Sequence, residues 1–326
     1  LMLNKKKIFI TGGTGSFGSH FLKFLLKNAK PKKITIFSRD ELKQHELKND
    51  PVIKRSSIPI RFLIGDVRDK DRLDFAILDK PDFVVHASAL KQVDTAEYNP
   101  TEFINTNIQG AQNLISSCLR HNIPKVIALS TDKASSPVNL YGTTKLVSDK
   151  LFIAANTYSK KTKLAVVRYG NVNFSRGSVI PILIKQHHEK KPFYLTDPKM
   201  TRFCINLEDS IKFVLNSYKK MQGGEMFVPK LKSYRLIDLA RAINSNAKIV
   251  FTGIRPGEKI HEEMISITDA INTSEFKNYY VIYPYYKKKN KKILPQLIKG
   301  YSSDRNEFLT IKQLKNIIKN YKWTKY

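Results

Sequence analysis

Short runs of β-branched and aromatic residues punctuate the first 170 residues: 7–11 (KIFIT), 33–37 (KITIF), 60–65 (IRFLIG), 83–88 (FVVHAS), 125–130 (KVIALS) and 163–169 (KLAVVRY). Their length suits strands. Between them apolar residues recur at spacings of three and four, as in 17–28 (FGSHFLKFLLKN) and 106–121 (TNIQGAQNLISSCLRH). Such alternation predicts an α/β fold, a doubly wound parallel sheet covered by helices on both faces. Nothing repeats at a solenoid period.

After Tyr169 the pattern loosens. A helical period over 178–191 leads into a mixed stretch at 192–209, a second helix is expected at 208–221, and short strand-like runs precede a lysine- and tyrosine-rich end. The second half therefore predicts a smaller α/β unit laid against the first, with segments crossing between them.

Composition narrows the function classes. The chain has 326 residues, 41% of them hydrophobic, and is globular. No apolar run reaches the roughly 18 residues of a membrane span, and the opening LMLNKKKIFITGG lacks the apolar segment and cleavage site of a signal peptide, so a cytoplasmic protein is expected. The formal charge of +29 raises the question of nucleic acid. However, the lysines spread along the whole chain, with local runs only at Lys5–Lys7 and Lys287–Lys292, and no nucleic-acid-binding motif accompanies them. The charge reads as a solvated surface that would also gather a phosphate-bearing substrate. Cys118 and Cys204 lack ligand-like spacing and read as buried thiols. His261 begins HEEMI rather than HExxH, and His187 and His188 point apart on any helix, so no metal site is expected.

The segment ITGGTGSFGSHF places Gly12, Gly15 and Gly18 directly after a strand and at the opening of a helix. Glycine is needed there for a tight turn and for close approach to a pyrophosphate, whose charge the free N–H groups of the helix start then meet. This predicts a Rossmann-type dinucleotide site, with Thr14, Ser16 and Phe17 in the same turn. At the end of the second strand an acid would bind a ribose diol and an arginine would suit a 2′-phosphate. The sequence there is FSRDELK, with Ser38 and Arg39 ahead of Asp40, Glu41 and Lys43, and it favours NADP over NAD. Asp66, beside Val67 after the third strand, is placed to reach the adenine, and Ala87, Ser88 and Ala89 to line the cofactor after the fourth.

Tyr141 and Lys145 lie one helical turn apart in LYGTTKLVSDKLF, so both side chains share a face. The ammonium is expected to lower the phenol from its ordinary value near 10 toward neutrality. Such a tyrosinate could take a proton from a sugar hydroxyl while hydride leaves the same carbon for a nicotinamide. Ser130 and Thr131 end the fifth strand just ahead of this helix, and Thr131 joins Tyr141 and Lys145 as a candidate catalytic residue.

Together, the glycine turn, Asp66, Ser130–Thr131, the Tyr141/Lys145 pair and NIQGAQN from Asn107 resemble the extended short-chain dehydrogenase/reductases. STDKA at 130–134, ALKQV at 89–93, YGNV at 169–172, SRGSVIP at 175–181, MTRF at 200–203 and RPGEKIHEEM at 255–264 narrow the resemblance to CapD-type nucleotide-sugar dehydratases. Among these the chain is most similar to the UDP-N-acetylglucosamine 4,6-dehydratases (inverting) of pseudaminic acid biosynthesis, over nearly its full length. The resemblance implies an NADP-binding Rossmann domain of residues 1–170 with about 205–228, and a sugar-nucleotide-binding domain of 171–204 and 229–326. It also implies further cofactor contacts from Lys91, Asn107 and Val172, and a homo-oligomer, dimer or hexamer. For the reaction it implies oxidation at C4 with Tyr141 as base, removal of the C5 proton by Lys133, and loss of the C6 hydroxyl as water with a proton from Asp132. Hydride then returns to C6, so the enzyme is a lyase. Substrate contacts are implied for Lys91, Thr131, Asn171, Val179, Thr196, Arg202, Arg255 and Glu258, the two arginines being suited to a diphosphate.

Three positions depart from that pattern: Gln92 and Asp94 stand where His and Pro are usual, and Phe174 where Gly is expected. Gln92 also occurs in the related 4,6-dehydratase/5-epimerases, which leaves the outcome at C5 open, although those relatives tend to carry Met in place of Tyr141. A 4-epimerase would share the Tyr/Lys pair but has no need of Asp132 and Lys133. A catalytically silent NADP-sensing module is the remaining alternative, and retention of all four side chains argues against it.

Overall fold

All six of the apolar runs form strands: β1 (Lys7–Thr11), β2 (Lys33–Ser38), β3 (Ile60–Ile64), β4 (Phe83–His86), β5 (Lys125–Thr131) and β6 (Lys163–Tyr169). The computed structural model describes residues 2–175, 177–287 and 293–320; Arg176 and the lysines of the basic run beyond Lys287 lie outside them. The remaining strands are β7 (Phe193–Leu195), β8 (Thr201–Phe203), β9 (Met226–Pro229), β10 (Ser233–Arg235), β11 (Ile249–Phe251), β12 (Glu263–Ile265), β13 (Thr273–Glu275), β14 (Tyr279–Ile282) and β15 (Tyr301–Ser302). The main sheet has nine strands in the order β13-β14-β9-β6-β5-β4-β1-β2-β3. Pairings from β3 through β9 are parallel, and β14 and β13 add antiparallel pairs at one edge. A parallel sheet that reverses its order beside the first strand has the doubly wound plan expected from the sequence, with its ligand crevice at the C-terminal ends of the strands.

The two-residue period of each strand explains why both faces are covered. Phe9, Val84, Val126 and Val166 face one core cluster with the helices Lys70–Ile77 and Gly110–Arg120, whereas Ile8, Ile10, Val85, Ile127 and Val167 face another with Ser16–Asn28 and Leu207–Lys220. The segment expected as one helix from 106 to 121 begins as a wider π-type turn, Ile104–Gln109, before settling into Gly110–Arg120. A third cluster gathers Phe174, Leu183, Phe193, Tyr234, Leu239 and Leu314 away from the sheet. The boundary drawn at residue 229 from the sequence runs through the main sheet, because residues 273–282 supply β13 and β14. Edge strands this short carry too weak a pattern to be assigned to a sheet from sequence.

Candidate active site

Beyond β1 the chain turns at Gly12 with φ +65°, a left-handed conformation that glycine adopts without strain. A Cβ at Gly12 would lie 2.7 Å from the Ala87 carbonyl and the Ser88 nitrogen, so the turn presses directly on the loop after β4. Gly15 then caps helix α1 (Ser16–Asn28), whose first turn carries no side-chain cap and no acid. Its N–H groups and the positive end of the helix dipole are thus left for an anion, an arrangement that fits the pyrophosphate of a dinucleotide. Thr14 is buried within this turn, and Phe17 stacks on Phe21.

At the tip of β2, Asp40 caps helix α2 (Glu41–Lys48) by accepting from Lys43 N at 2.9 Å, and it also pairs with the Lys43 ammonium. Glu41 is exposed in the first turn, and Ser38 is buried, its hydroxyl accepting from Gln44. Arg39 is exposed and lies 3.4 Å from Asp66. Asp66 accepts from Arg68 N (2.9 Å) and Arg68 Nε (2.8 Å). Burial pushes its carboxyl up, but the Arg68 hydrogen bonds and the nearby Arg39 outweigh that and hold it below the usual carboxylate range. Val67 is buried. Asn107 uses its amide on both sides of Leu90 (2.9 Å each) and on Thr144 (3.0 Å). It fastens the loop carrying Ala89 and Lys91 to the next helix, and does not present a free donor to a cofactor.

That helix, α3 (Leu140–Ala154), starts where Asn139 accepts from Gly142 N at 2.7 Å. Its first turn therefore presents Tyr141, and one turn on, Lys145, both buried. A Cβ at Gly142 would come 2.2 Å from the Lys133 carbonyl, so the helix start rests on the loop after β5. In that loop Thr131 donates to Asp132 Oδ1 (3.0 Å), and Lys133 Nζ lies 3.2 Å from the same oxygen.

The electrostatics differ from the expectation for the tyrosine. Burial pushes the Tyr141 phenol up to about 12, against the opposing pull of Lys133 and a hydrogen bond with Thr131. Lys145 instead donates to the Leu129 carbonyl at 2.8 Å, and burial lowers its own pKa, which Asp149 opposes. The spacing correctly puts the pair on one helix, but a backbone carbonyl engages the ammonium. Asp132 is raised, first by burial and then by Glu262, against Lys133. Burial disfavours the Lys133 ammonium, yet Asp132 and Glu262 more than offset this, and its pKa lies above the ordinary lysine value.

Glu262 was not singled out from the sequence. It accepts from Lys133 Nζ at 2.8 Å, and Arg202 Nε lies 3.5 Å from the same oxygen. Lysine, arginine and carboxylates with no sequence proximity gave no signal. Arg202 also departs from its expected role: buried on β8, it donates Nη1 to the Thr201 and Ile260 carbonyls (2.8 and 2.9 Å). Its fork is occupied inside the protein and is not offered to a diphosphate. Arg255 is exposed and grips Glu258 through two bonds (3.1 and 3.3 Å), which leaves donors facing outward. Asn171 and Val172 follow β6, and Val172 bridges to Ile205. Val179 opens the helix Val179–His188 and Thr196 follows β7; no hydrogen bond joins either to the acid–lysine cluster among the described residues. Cys118 and Cys204 are free thiols that burial pushes up. Among the described residues no helix is long and apolar enough to cross a membrane.

A family model described as polysaccharide biosynthesis protein matches residues 8–284. The chain is 55% identical over 289 residues to the UDP-N-acetylglucosamine 4,6-dehydratase (inverting) of Campylobacter jejuni subsp. jejuni serotype O:2, covering 87% of this chain and 84% of that one. A UDP-glucose 4-epimerase of Rickettsia bellii is 40% identical over 337 residues, 98% of this chain and 97% of its own. Among solved structures, Pen from Bacillus thuringiensis superposes with a TM-score of 0.90 at 34% identity, covering 99% of this chain and 100% of that chain. The chain belongs to the polysaccharide biosynthesis protein family and, in the manner its motifs imply, to the extended short-chain dehydrogenase/reductases that include nucleotide-sugar dehydratases.

Proposed function

We propose that the chain is a UDP-N-acetylglucosamine 4,6-dehydratase that inverts C5, a hydro-lyase whose product, UDP-2-acetamido-2,6-dideoxy-β-L-arabino-hex-4-ulose, feeds a surface-glycan pathway such as that of pseudaminic acid. The observation that carries this reading is the Asp132–Lys133 ion pair, its acid buried, on the loop against which the start of the Tyr141 helix rests, since a 4-epimerase has no use for an acid and an amine there. A bound nicotinamide dinucleotide supplies the chemistry of accepting hydride from C4 and returning it to C6.

The chain's own groups move the protons. Tyr141, in its phenolate form, takes the proton of the C4 hydroxyl, and the ketone so formed acidifies the neighbouring C5–H. Lys133, as the neutral amine, removes that proton, while Asp132, whose carboxyl burial and Glu262 push up from its ordinary value, gives its proton to the C6 hydroxyl, which leaves as water. A proton from solvent adds to C5 on the opposite face, which completes the inversion, and Lys133 releases the proton it took to solvent. The proton from the C4 hydroxyl balances the one spent on water, so the protein ends as it began. Lys91, Thr131, Asn171, Val179, Thr196, Arg255 and Glu258 surround the sugar nucleotide in this reading, with Arg255 on the diphosphate and Arg202 behind it as a brace. The bound sugar nucleotide lies between the Rossmann half and the unit containing 171–204.

NADP is the proposed dinucleotide. Asp40 is engaged as a helix cap, while Arg39 and Lys91 line one cleft of about 300 Å³ where a 2′-phosphate would find two cations. Arg39→Ala is expected to weaken NADP binding by about 10- to 100-fold and to leave NAD little changed; equal losses for both would refute the preference. A cytoplasmic homo-oligomer completes the proposal. Exposed Phe75, Leu78, Tyr98 and Ile104 offer apolar surface on the cofactor-binding half, and light scattering tests for assembly.

The deciding experiment incubates the chain with UDP-N-acetylglucosamine in heavy water and reads the product by NMR. A 4-keto-6-deoxy sugar with deuterium at C5 and inverted configuration is expected. An unlabelled 4-epimer would establish the epimerase instead, and a retained C5 the non-inverting dehydratase.

A further inference from the structure

Lysine 133 has two carboxylates, and the closer is not its sequence neighbour. Its Nζ donates to Glu262 Oε1 at 2.8 Å and to Asp132 Oδ1 at 3.2 Å. Both acids are buried, Asp132 at 1% exposure and Glu262 at 2%, and Asp132 Oδ2 and Glu262 Oε2 have no hydrogen-bond partner among the described residues. Glu262 is itself firmly placed: its N–H donates to the Ser303 hydroxyl (2.9 Å), its carbonyl accepts from Ser303 N (2.8 Å), and Arg202 Nε approaches Oε1 at 3.5 Å. The partly buried Lys133 and the buried Arg202 balance the two acids if both are ionised, but only Glu262 has a cation on two sides.

We propose that Glu262 is the positioning residue of the elimination pair: its Oε1, braced on the other side by Arg202, holds the Lys133 amino group beside Asp132, and its negative charge leaves the proton on Asp132. This deepens the dehydratase reading and rests on it. Two ionised carboxylates sharing one lysine in a dry site repel each other, so the better-compensated one keeps its charge. Burial would raise Glu262, but Lys133 and Arg202 outweigh that and hold it below the usual carboxylate range. Asp132 moves the opposite way. The result is an acid with a proton to give beside an amine fixed in place, although the two are adjacent in sequence. The other groups facing the pair are Tyr141 from α3, Tyr234 from β10, and Glu258 and Lys259 from the segment before β12; Lys259 is occupied by the Ser135 carbonyl, and Glu263 by Ser135 and Ser136.

The test compares the full-length chain with E262Q and E262D, each loaded with cofactor, using UDP-N-acetylglucosamine and following both C4 oxidation and release of the dehydrated sugar against pH. Removing the charge lets both Asp132 and Lys133 give up their protons at lower pH, so both limbs of the pH profile of elimination move to lower pH in E262Q. Elimination should fall about 10- to 100-fold more than C4 oxidation in E262Q, and E262D, which keeps the charge, should restore the limbs toward their original position. Equal loss of both steps, or unmoved limbs in E262Q while the unsubstituted chain dehydrates normally, overturns this inference alone. An unsubstituted chain that releases no 4-keto-6-deoxy sugar overturns the dehydratase reading and this inference with it.

Discussion

At the scale of single residues, Gly142 shows how closely the two catalytic pairs are built into one another. Its Cα faces the Lys133 carbonyl, and a methyl group there would stand 2.2 Å from that oxygen. Gly142→Ala must therefore move either the start of α3 or the Lys133 loop. Overpacking of this kind costs about 1–3 kcal/mol, and the displacement acts on Tyr141 and Lys133 together. A drop in kcat larger than the drop in melting temperature would suggest is the expected result; unchanged kinetics would show that the contact relaxes harmlessly. Phe174 is the contrasting case. Where glycine is expected, the backbone adopts φ +59°, which explains the expectation, yet the phenyl ring is buried in the third core cluster. The left-handed conformation costs roughly 1–2 kcal/mol, and truncating a buried Phe costs about 3–5 kcal/mol, so burial outweighs strain and keeps the aromatic residue. Asp94, the one charged departure, lies near enough to Arg255 to favour its charged form.

At the scale of elements, the start of α1 trades local stability for binding. An N-cap acid would satisfy its open N–H groups and stabilise the helix by a few tenths of a kcal/mol relative to glycine, but would put a negative charge where the pyrophosphate sits. Gly15→Asp is thus expected to melt at or above the parent temperature without cofactor and to bind NADP at least about tenfold more weakly. Calorimetry with and without NADP checks both signs, and a variant that binds normally would disprove the phosphate role of this turn. The turn was legible because its glycines, its strand and its helix are contiguous. For the same reason the six parallel strands, α1 and the Tyr141/Lys145 helix could be read from pattern and spacing. Glu262, the internal use of Arg202 and the sheet position of β13 and β14 could not, since each depends on where distant segments meet. Spacing alone does not lower the phenol: the four-residue interval fixes the face, but burial and the Leu129 carbonyl decide the charge.

For the whole molecule, acid stability follows from carboxylates held in ion pairs. Asp79 lies between Lys7 (2.7 Å) and Lys33 (2.9 Å), and the Lys7 hydrogen bond leads the effects that lower its pKa. A depressed folded-state pKa contributes stability that is present above the unfolded value, near 3.9 for Asp, and is lost as pH falls through the folded value. The melting temperature should be nearly flat from about pH 5 to 8 and fall below about pH 4, more steeply at low salt because protonation adds to a charge already at +29. A maximum below pH 4 would contradict this. The 129 positions that separate Lys133 from Glu262 also bear on the order in which the protein acquires its abilities. As the chain leaves the ribosome, the glycine turn, β1 to β6 and the Tyr141 helix all precede the residue that completes the elimination site. The dehydration chemistry therefore depends on a segment made later than the one that forms the nucleotide turn.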